Sequence, residues 1–219
     1  MIQAKHISKT YGTTNVLKDV SFSLAPSEIV SIVGPSGAGK TTLLHILGTL
    51  EHADVQSQTE LIINGKAVNR LSDKALSAFR NESLGFVFQF HQLLPEFTAI
   101  ENICMPAFIR GTSKHEAEKK AIELLDFFEL TNRAKHKPSE LSGGEQQRIA
   151  VARSLINKPS LLLADEPSGN LDSVSADKLH DMFFRLRDTF SISMILVTHN
   201  KSLATRADRM LNLVDGQWN

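Results

Sequence analysis

The sequence predicts an α/β protein built on a parallel β-sheet that is covered on both faces. Largely apolar runs are the strand candidates, at residues 29–33, 161–164, 194–197 and 210–213. They do not alternate with polar residues as a half-exposed strand does, which indicates burial on both faces. A helical pattern at about 173–190 separates two of these runs, as a right-handed parallel crossover requires. A glycine-rich loop at 34–41 joins the first run to another helix.

The N-terminal part of the chain is predicted to add further strands. Residues 2–8 and 20–25 have strand character, and in the second segment apolar residues alternate with serine, as in a half-buried strand. A short strand at 61–63 is followed by an Asn-Gly pair, which favours a turn. Residues 84–88 predict another strand, which stops at Gln89.

The middle of the chain, from about 90 to 158, has a mainly helical pattern. Thr98–Glu101 and Ser113–Glu116 have the spacing of a capping box, in which a hydroxyl and a glutamate satisfy free N–H groups at a helix start. The sequence therefore predicts one domain. Its core would occupy about 1–89 and 159–219, and the helical segment would be a subdomain inserted between them.

Composition and charge describe an ordinary globular chain of 219 residues, with 42% hydrophobic and 22% charged residues. The 24 Lys and Arg balance the 24 Asp and Glu, so no basic field would recruit nucleic acid. No apolar stretch approaches the roughly 20 residues of a membrane span, and the N-terminus lacks a signal-peptide core. The single cysteine, Cys104, suits a reducing cytosol. We therefore expect a cytosolic chain unless a partner holds it at a membrane.

The loop Gly34–Thr41 has the spacing of a phosphate-binding P-loop, and the helix after it is predicted to run to about Leu50. Small residues let backbone N–H groups turn toward phosphates, and the helix start adds partial positive charge. Lys40 would supply a charge to the β- and γ-phosphates, and the Thr41 hydroxyl can ligate Mg²⁺. The alternative is an ordinary glycine turn, which the filled motif and its context disfavour. The residues predicted to bind nucleotide here are Ser36, Gly37, Ala38, Gly39, Lys40, Thr41 and Thr42.

Two carboxylates, Asp165 and Glu166, follow the apolar run 161–164. Ligands of open α/β sheets bind at the carboxyl ends of the strands, so both side chains are expected beside the P-loop. Asp165 would hold Mg²⁺, and Glu166 would orient and deprotonate an attacking water. Phosphoryl transfer depends mostly on such positioning and on charge neutralisation. The alternative is a solvated acidic strand end.

A second phosphate-binding segment is predicted at Leu141–Arg148. Ser142 and Glu145 have capping-box spacing, which by itself predicts a helix start. Capping does not require two adjacent glycines, which would cost a helix roughly 1 kcal/mol each. Gly143 and Gly144 can instead expose backbone N–H groups to an anion. The pattern favours a phosphate-facing role, and both interpretations can hold together.

These motifs resemble those of the ATPase subunits of ATP-binding cassette (ABC) transporters, over essentially the whole chain. Ser142–Gln146 is similar to the signature motif that separates this family from other P-loop proteins. The resemblance implies an α/β fold with a P-loop NTPase (RecA-like) core, an N-terminal antiparallel β subdomain and an inserted α-helical subdomain. It also implies that the ligands are ATP and Mg²⁺.

The resemblance assigns roles to residues outside the main motifs. Tyr11 stands where an aromatic residue stacks on adenine, and Gln89 where a glutamine senses Mg²⁺ and the attacking water. His199 matches the histidine that contacts the γ-phosphate, and residues 168–172 resemble the loop that crosses the dimer interface. Taken singly, these could be a surface aromatic, a strand end, and a capping or core histidine. The implied catalytic residues are Glu166, His199 and Gln89. The implied metal ligands are Thr41, Gln89 and Asp165.

The resemblance also implies two kinds of partner. A second copy would bind head to tail, with each ATP between one P-loop and the other copy's Ser142–Gly144. Residues 86–102 resemble the ATPases of lipoprotein-releasing and macrolide-exporter systems, most closely the former. In these proteins the region receives a short helix of the membrane subunit, which implies a location at the cytoplasmic face of the inner membrane. The alternative is ordinary packing between core and helical subdomain. The implied docking residues are Phe88, Phe90, Leu93, Leu94 and Phe97.

The favoured hypothesis is an ATPase that drives lipoprotein release or export. The alternatives are a mechanotransmission ATPase of the cell-division type and a macrolide or peptide exporter. Some positions depart from the usual family pattern: Asn200 replaces a common Asp, Ser168 a frequent Thr and Ser27 a frequent Gly, and Ser57–Glu60 lacks a glycine. None of these changes removes a catalytic group, although Asn200 removes a charge beside His199.

Overall fold

The computed structural model describes residues 1–54 and 58–219, so Ser57 lies outside the described residues. The chain forms two β-sheets and seven α-helices within this part. The strands are β1 (Ile2–Tyr11), β2 (Thr14–Leu24), β3 (Ile29–Val33), β4 (Glu60–Ile63), β5 (Lys66–Ala67), β6 (Leu84–Val87), β7 (Leu161–Asp165), β8 (Ser193–Val197), β9 (Arg209–Val214) and β10 (Gln217–Trp218). The helices are α1 (Lys40–Leu47), α2 (Asp73–Ser83), α3 (Ala99–Ile109), α4 (Lys114–Phe127), α5 (Gly143–Leu155), α6 (Ser173–Phe190) and α7 (Lys201–Arg206).

The larger sheet has six strands in the order β10-β9-β3-β8-β7-β6. The five strands β9, β3, β8, β7 and β6 run parallel, and only β10 pairs antiparallel, with β9. The predicted parallel sheet and its crossover helix α6 are confirmed. Because all five parallel strands end at one edge, the loops after β3, β6, β7 and β8 lie beside one another there.

The smaller sheet is antiparallel, in the order β2-β1-β4-β5. In its register Ile2 pairs with Leu24 of β2 and with Ile63 of β4. Its strands β1 and β2 are longer than the strands predicted at 2–8 and 20–25. The sheet is the N-terminal antiparallel unit that the family resemblance implied.

The core explains why β7 and β8 are apolar apart from their terminal residues Asp165 and Ser193. Side chains of β7 alternate between two hydrophobic clusters: Leu162 and Ala164 pack with helices α3 to α6, whereas Leu161 and Leu163 pack with α1 and the antiparallel sheet. Both faces are thus dry, so apolar residues are favoured at every position.

Helix α1 ends at Leu47, three residues before the predicted end, and α2 was not predicted. The helices α3, α4 and α5 fall within the segment that has the helical pattern, and Ser and Thr side chains cap all three. None of the helices in residues 1–54 and 58–219 is long and apolar enough to cross a membrane.

Candidate functional site

The loop between β3 and α1 curls tightly around the start of the helix. Gly34 has a φ of 146°, and a Cβ there would lie 2.0 Å from the Leu213 carbonyl oxygen, so no side chain fits. Gly39 precedes α1 in the left-handed region, with a φ of 97°. The Lys40 ammonium donates to the carbonyl oxygens of Gly34 and Pro35 at 2.8 and 2.7 Å. These contacts fix a positive charge within a loop whose N–H groups and helix start favour an anion.

Asp165, the last residue of β7, faces the first turn of α1. Its Oδ2 accepts a hydrogen bond from the Thr41 hydroxyl at 2.9 Å. Its Oδ1 is buried and has no hydrogen-bond partner among the residues that the structure describes. Burial raises the pKa of the Asp165 carboxyl, although the Thr41 hydrogen bond opposes this change. A hydroxyl and a buried carboxylate oxygen are hard oxygen ligands, so this pair fits Mg²⁺.

Glu166 begins the loop after β7 and turns its side chain toward the loop after β8. Its backbone has a φ of 45°, a strained value for a residue with a side chain. Its Oε2 accepts from the backbone N–H of His199 at 3.1 Å and lies 2.8 Å from the His199 Nδ1. The glutamate is mostly buried, whereas 72% of the His199 side chain is exposed. The carboxylate is therefore held in place at one oxygen, and Oε1 is the end that can accept a proton.

Gln89, which follows β6, is linked to the same loop. Its Nε2 donates to Oδ1 of Asn170 at 3.1 Å, and Asn170 Nδ2 donates back to the Gln89 carbonyl oxygen at 3.2 Å. The Gly169 N–H donates to the Glu166 carbonyl oxygen at 3.0 Å. Because the amide nitrogen of Gln89 is engaged, its oxygen is the end that can face a cation or a water.

Tyr11 lies at the end of β1, with 46% of its surface exposed. Its hydroxyl donates to Glu51 at 3.3 Å, and the Lys9 ammonium lies 5.0 Å from the ring centroid. The ring thus forms an exposed apolar wall that is fixed on one side.

A single cleft of about 630 Å³ collects most of the predicted site. The predicted residues that line it are Tyr11, Ser36, Gly37, Ala38, Gly39, Lys40, Thr41, Thr42, Gln89, Asp165, Glu166 and His199. Val16 and Val197 also line it and were not predicted, because a lone valine carries no functional signal.

Ser142, Gly143 and Gly144 are not among the residues that line this cleft. Ser142 caps α5, and its capping box with Glu145 is complete. A Cβ at Gly144 would meet the Ser175 hydroxyl of α6 at 3.0 Å, so packing favours glycine there. A Cβ at Gly143 would meet only a Leu171 methyl, at 4.0 Å, among the described residues. Crowding within the chain therefore does not account for Gly143, which is exposed at a helix start.

Glu145 is held strongly by this capping box. Its Oε2 accepts from the Ser142 N–H at 2.8 Å and from the Ser142 hydroxyl at 2.9 Å, and its Oε1 accepts from Arg133 at 2.8 Å. Burial alone would raise the pKa of Glu145, but these contacts outweigh it and lower the pKa to about 2.

The predicted docking residues do not share one environment. Phe90, Leu94 and Phe97 are exposed, Phe90 at 67%. Leu93 differs from them, because its side chain packs into the hydrophobic core of this chain. Phe88 lines a separate groove of about 340 Å³. Among the residues that line this groove and were not predicted are Arg80, Pro106, Ile109 and Arg153.

Side chains of the helical segment hold the loop after β6. Gln147 of α5 donates to the Phe88 carbonyl oxygen at 2.9 Å, and Arg153 donates to those of His91 and Gln92 at 2.9 and 2.7 Å. The buried Asn102 bonds the backbone of Leu94 in both directions. These residues were missed because nothing in their sequence neighbourhood indicates a long-range backbone partner.

Comparison with known proteins gives consistent matches. The family model described as "ABC transporter" matches residues 17–169. The lipoprotein-releasing system ATP-binding protein LolD of Bacteroides thetaiotaomicron is 55% identical over 99% of this chain and 98% of its own length. The protein of the same name from Cytophaga hutchinsonii is 53% identical over 99% of this chain and 97% of its own. The dimeric ATP-binding cassette MJ0796, in a post-hydrolysis state bound to ADP and Pi, superposes with a TM-score of 0.90 at 37% identity, covering 100% of this chain and 97% of that one.

Proposed function

The chain belongs to the ABC transporter family, and we propose that it is the ATP-hydrolysing subunit of an inner-membrane complex that releases lipoproteins. Relatives named for lipoprotein release match nearly its whole length at 55% identity, which supports this cargo. The observation that carries the ATPase proposal is the convergence of the P-loop, Asp165, Glu166 and His199 on one cleft.

ATP would lie with its phosphates in the P-loop and its adenine against Tyr11. The N–H groups of the loop and the Lys40 charge favour the triphosphate, because both are fixed before the ligand arrives. Thr41 and Asp165 would hold Mg²⁺, and the amide oxygen of Gln89 would face it or the attacking water. When bound, the ion neutralises charge on the phosphates. The Oδ1 of Asp165, which has no hydrogen-bond partner among the described residues, supports this assignment, since burying that oxygen alone is unfavourable.

Glu166 would act as the general base. Its Oε2 is held by the backbone N–H and Nδ1 of His199, which leaves Oε1 to orient a water and accept its proton. His199 is exposed at the rim of the cleft, where its ring can meet the terminal phosphate. Gln89, tied to Asn170, would orient the same water through its amide oxygen.

Two copies are proposed to share each nucleotide. Ser142 and Gly143 are exposed at the start of α5, outside the cleft of their own chain. The Ser142 N–H is occupied by Glu145, but the helix start at Gly143 is exposed and uncrowded among the described residues, which suits a ligand that arrives from another chain. The dimeric assemblies of the similar solved structures support this arrangement.

The membrane subunits are proposed to dock beside the loop after β6. The 340 Å³ groove there is lined by Phe88, Pro106 and Ile109, and 73% of Ile109 is exposed. Phe90 and Leu94 add exposed apolar side chains in the loop that follows β6. Such a docked partner would hold the chain at the cytoplasmic face of the inner membrane.

The test is a reconstitution. The chain is purified with the membrane subunits that accompany it from gently solubilised membranes, and the complex is placed in proteoliposomes with an acylated lipoprotein. We expect ATP to release the lipoprotein with wild-type chain and with the control Glu123→Gln, which changes an exposed glutamate of α4. Glu166→Gln should bind ATP, fail to hydrolyse it and fail to release the lipoprotein. Rapid hydrolysis by Glu166→Gln would refute the assignment of Glu166 as the base. ATP turnover by the wild-type complex without release of the lipoprotein would refute the proposal that lipoproteins are the cargo.

A further inference from the structure

Helix α6 buries a histidine that the proposed mechanism does not use. His180 is 0% exposed, and its Nε2 lies 2.9 Å from the hydroxyl oxygen of Ser168. Its Nδ1 has no hydrogen-bond partner in the described part of the chain, and the nearest carboxylate, that of Asp177, is 3.9 Å away. An apolar side chain would fill this position without an unpaired nitrogen, so packing alone does not favour histidine there.

The partner of this histidine belongs to the loop that holds the proposed catalytic groups. Ser168 stands two residues after Glu166, and its carbonyl oxygen accepts from the Leu171 N–H at 3.1 Å. The next residues contact Glu166 and Gln89: the Gly169 N–H bonds the Glu166 carbonyl oxygen, and Asn170 bonds Gln89 twice. The loop is thus bonded to the cleft on one side and to α6 through His180 on the other.

We propose that His180 is a positioning residue, which holds the loop 166–172 through Ser168 and so sets the placement of Glu166 and Gln89. The proposal rests on the roles proposed for those two residues. The loop is also tied to α6 at Asp172, which caps the helix by accepting from the Ser175 N–H at 3.0 Å. This cap lies at the far end of the loop, so His180 is the contact nearest to Glu166.

The hydrogen bond between His180 and Ser168 is one between neutral groups. Burial lowers the pKa of His180. Among the charged groups around it, Asp177 and Asp181 of α6 raise the pKa and Arg206 of α7 lowers it, and burial is the largest effect. The ring is therefore uncharged near pH 7, and an uncharged side chain that reaches Ser168 can replace it.

The test compares His180→Phe, His180→Gln, Ser168→Ala and the double variant His180→Phe with Ser168→Ala in the full chain with its membrane subunits. His180→Phe keeps a ring at this position but removes the hydrogen bond. We expect it to lower kcat about five- to tenfold, which is the factor that the loss of one neutral hydrogen bond gives. The KM for ATP should be nearly unchanged. Ser168→Ala should do the same, and the double variant should be no slower than either. His180→Gln, whose amide can reach Ser168, should restore most of kcat.

Phe183→Leu is the matched control, because Phe183 is a fully buried residue of the same helix that packs in the core. It should lower the melting temperature and leave kcat of the folded protein unchanged. Multiplicative losses in the double variant, or a His180→Phe protein that loses only thermal stability, would overturn the proposal. Ser168→Ala tests the same bond without altering the helix. Active Glu166→Gln would instead point to failure of the proposed function, whatever the His180 variants do.

Discussion

Glu145→Gln is expected to lower the free energy of unfolding by about 2 kcal/mol at pH 7, a figure that follows from the contacts of this carboxylate. Ser142 and Arg133 hold the pKa of Glu145 at about 2, against an ordinary value of 4.5. At about 1.4 kcal/mol for each pH unit, this lowering sets an upper limit of about 3.5 kcal/mol. The amide of glutamine keeps one acceptor oxygen, so the loss should fall below that limit. Urea unfolding followed by circular dichroism measures it.

The same contacts determine how the stability contributed by Glu145 depends on pH. The folded chain binds the Glu145 proton less readily than the unfolded chain, so the stabilisation is complete above a pH of about 4.5 and is lost as the pH falls toward about 2. The difference in stability between wild type and Glu145→Gln should therefore narrow over this window. A gap that stays constant to a pH of about 3 would refute the reasoning.

Glu101→Gln is a matched control for Glu145→Gln. Glu101 forms the same capping box with Thr98, through an N–H at 2.8 Å and a hydroxyl at 2.6 Å. No arginine contact accompanies it among the described residues, and its side chain is exposed. Glu101→Gln should lower the free energy of unfolding by about 1 kcal/mol, the usual contribution of a helix cap. Equal losses at the two positions would show that Arg133 and burial contribute nothing.

Three further predictions concern other parts of the molecule. Gly34→Ala should abolish tight ATP binding, since its Cβ would lie 2.0 Å from the Leu213 carbonyl oxygen; wild-type affinity for a fluorescent ATP analogue would contradict the loop geometry. Phe90→Asp should prevent co-purification of the membrane subunits while ATP binding persists, whereas the control Ile122→Asp, on the exposed side of α4, should keep them; a retained complex would exclude docking at Phe90. His180→Gln should become more stable relative to wild type as the pH falls below about 6.5, because burial lowers the pKa of His180 and the unfolded chain binds the proton first. Urea midpoints that shift in parallel for the two proteins would argue against a buried neutral ring.

Sequence reasoning succeeded where a local physical requirement selects the residues. Burial on both faces of the sheet selects continuous apolar strands, so β7, β8 and the carboxylates at the end of β7 could be placed. Helix α2, which was not predicted from the sequence, illustrates the limit of this reasoning. Only Leu76 and Phe79 of its residues are buried, so its apolar pattern is too sparse to indicate a helix.

Contacts between distant segments could not be predicted. Gln89 and Asn170 are 81 residues apart, and their pairing depends on the adjacency of β6 and β7 in the sheet. Leu93 carries the same apolar signal as Leu94, and only the path of the loop decides that the first is buried and the second exposed. The bond between His180 and Ser168 likewise depends on how the loop after β7 returns over α6.

The first two turns of α6 touch two different structures: the loop of Glu166, through His180, and the start of α5, where Ser175 packs on Gly144. In the proposed pair of subunits, one of these serves the nucleotide of the same chain and the other serves the nucleotide of its neighbour. Because Ser175 and His180 lie on one helix, a displacement of α6 would move the Glu166 loop and the start of α5 together.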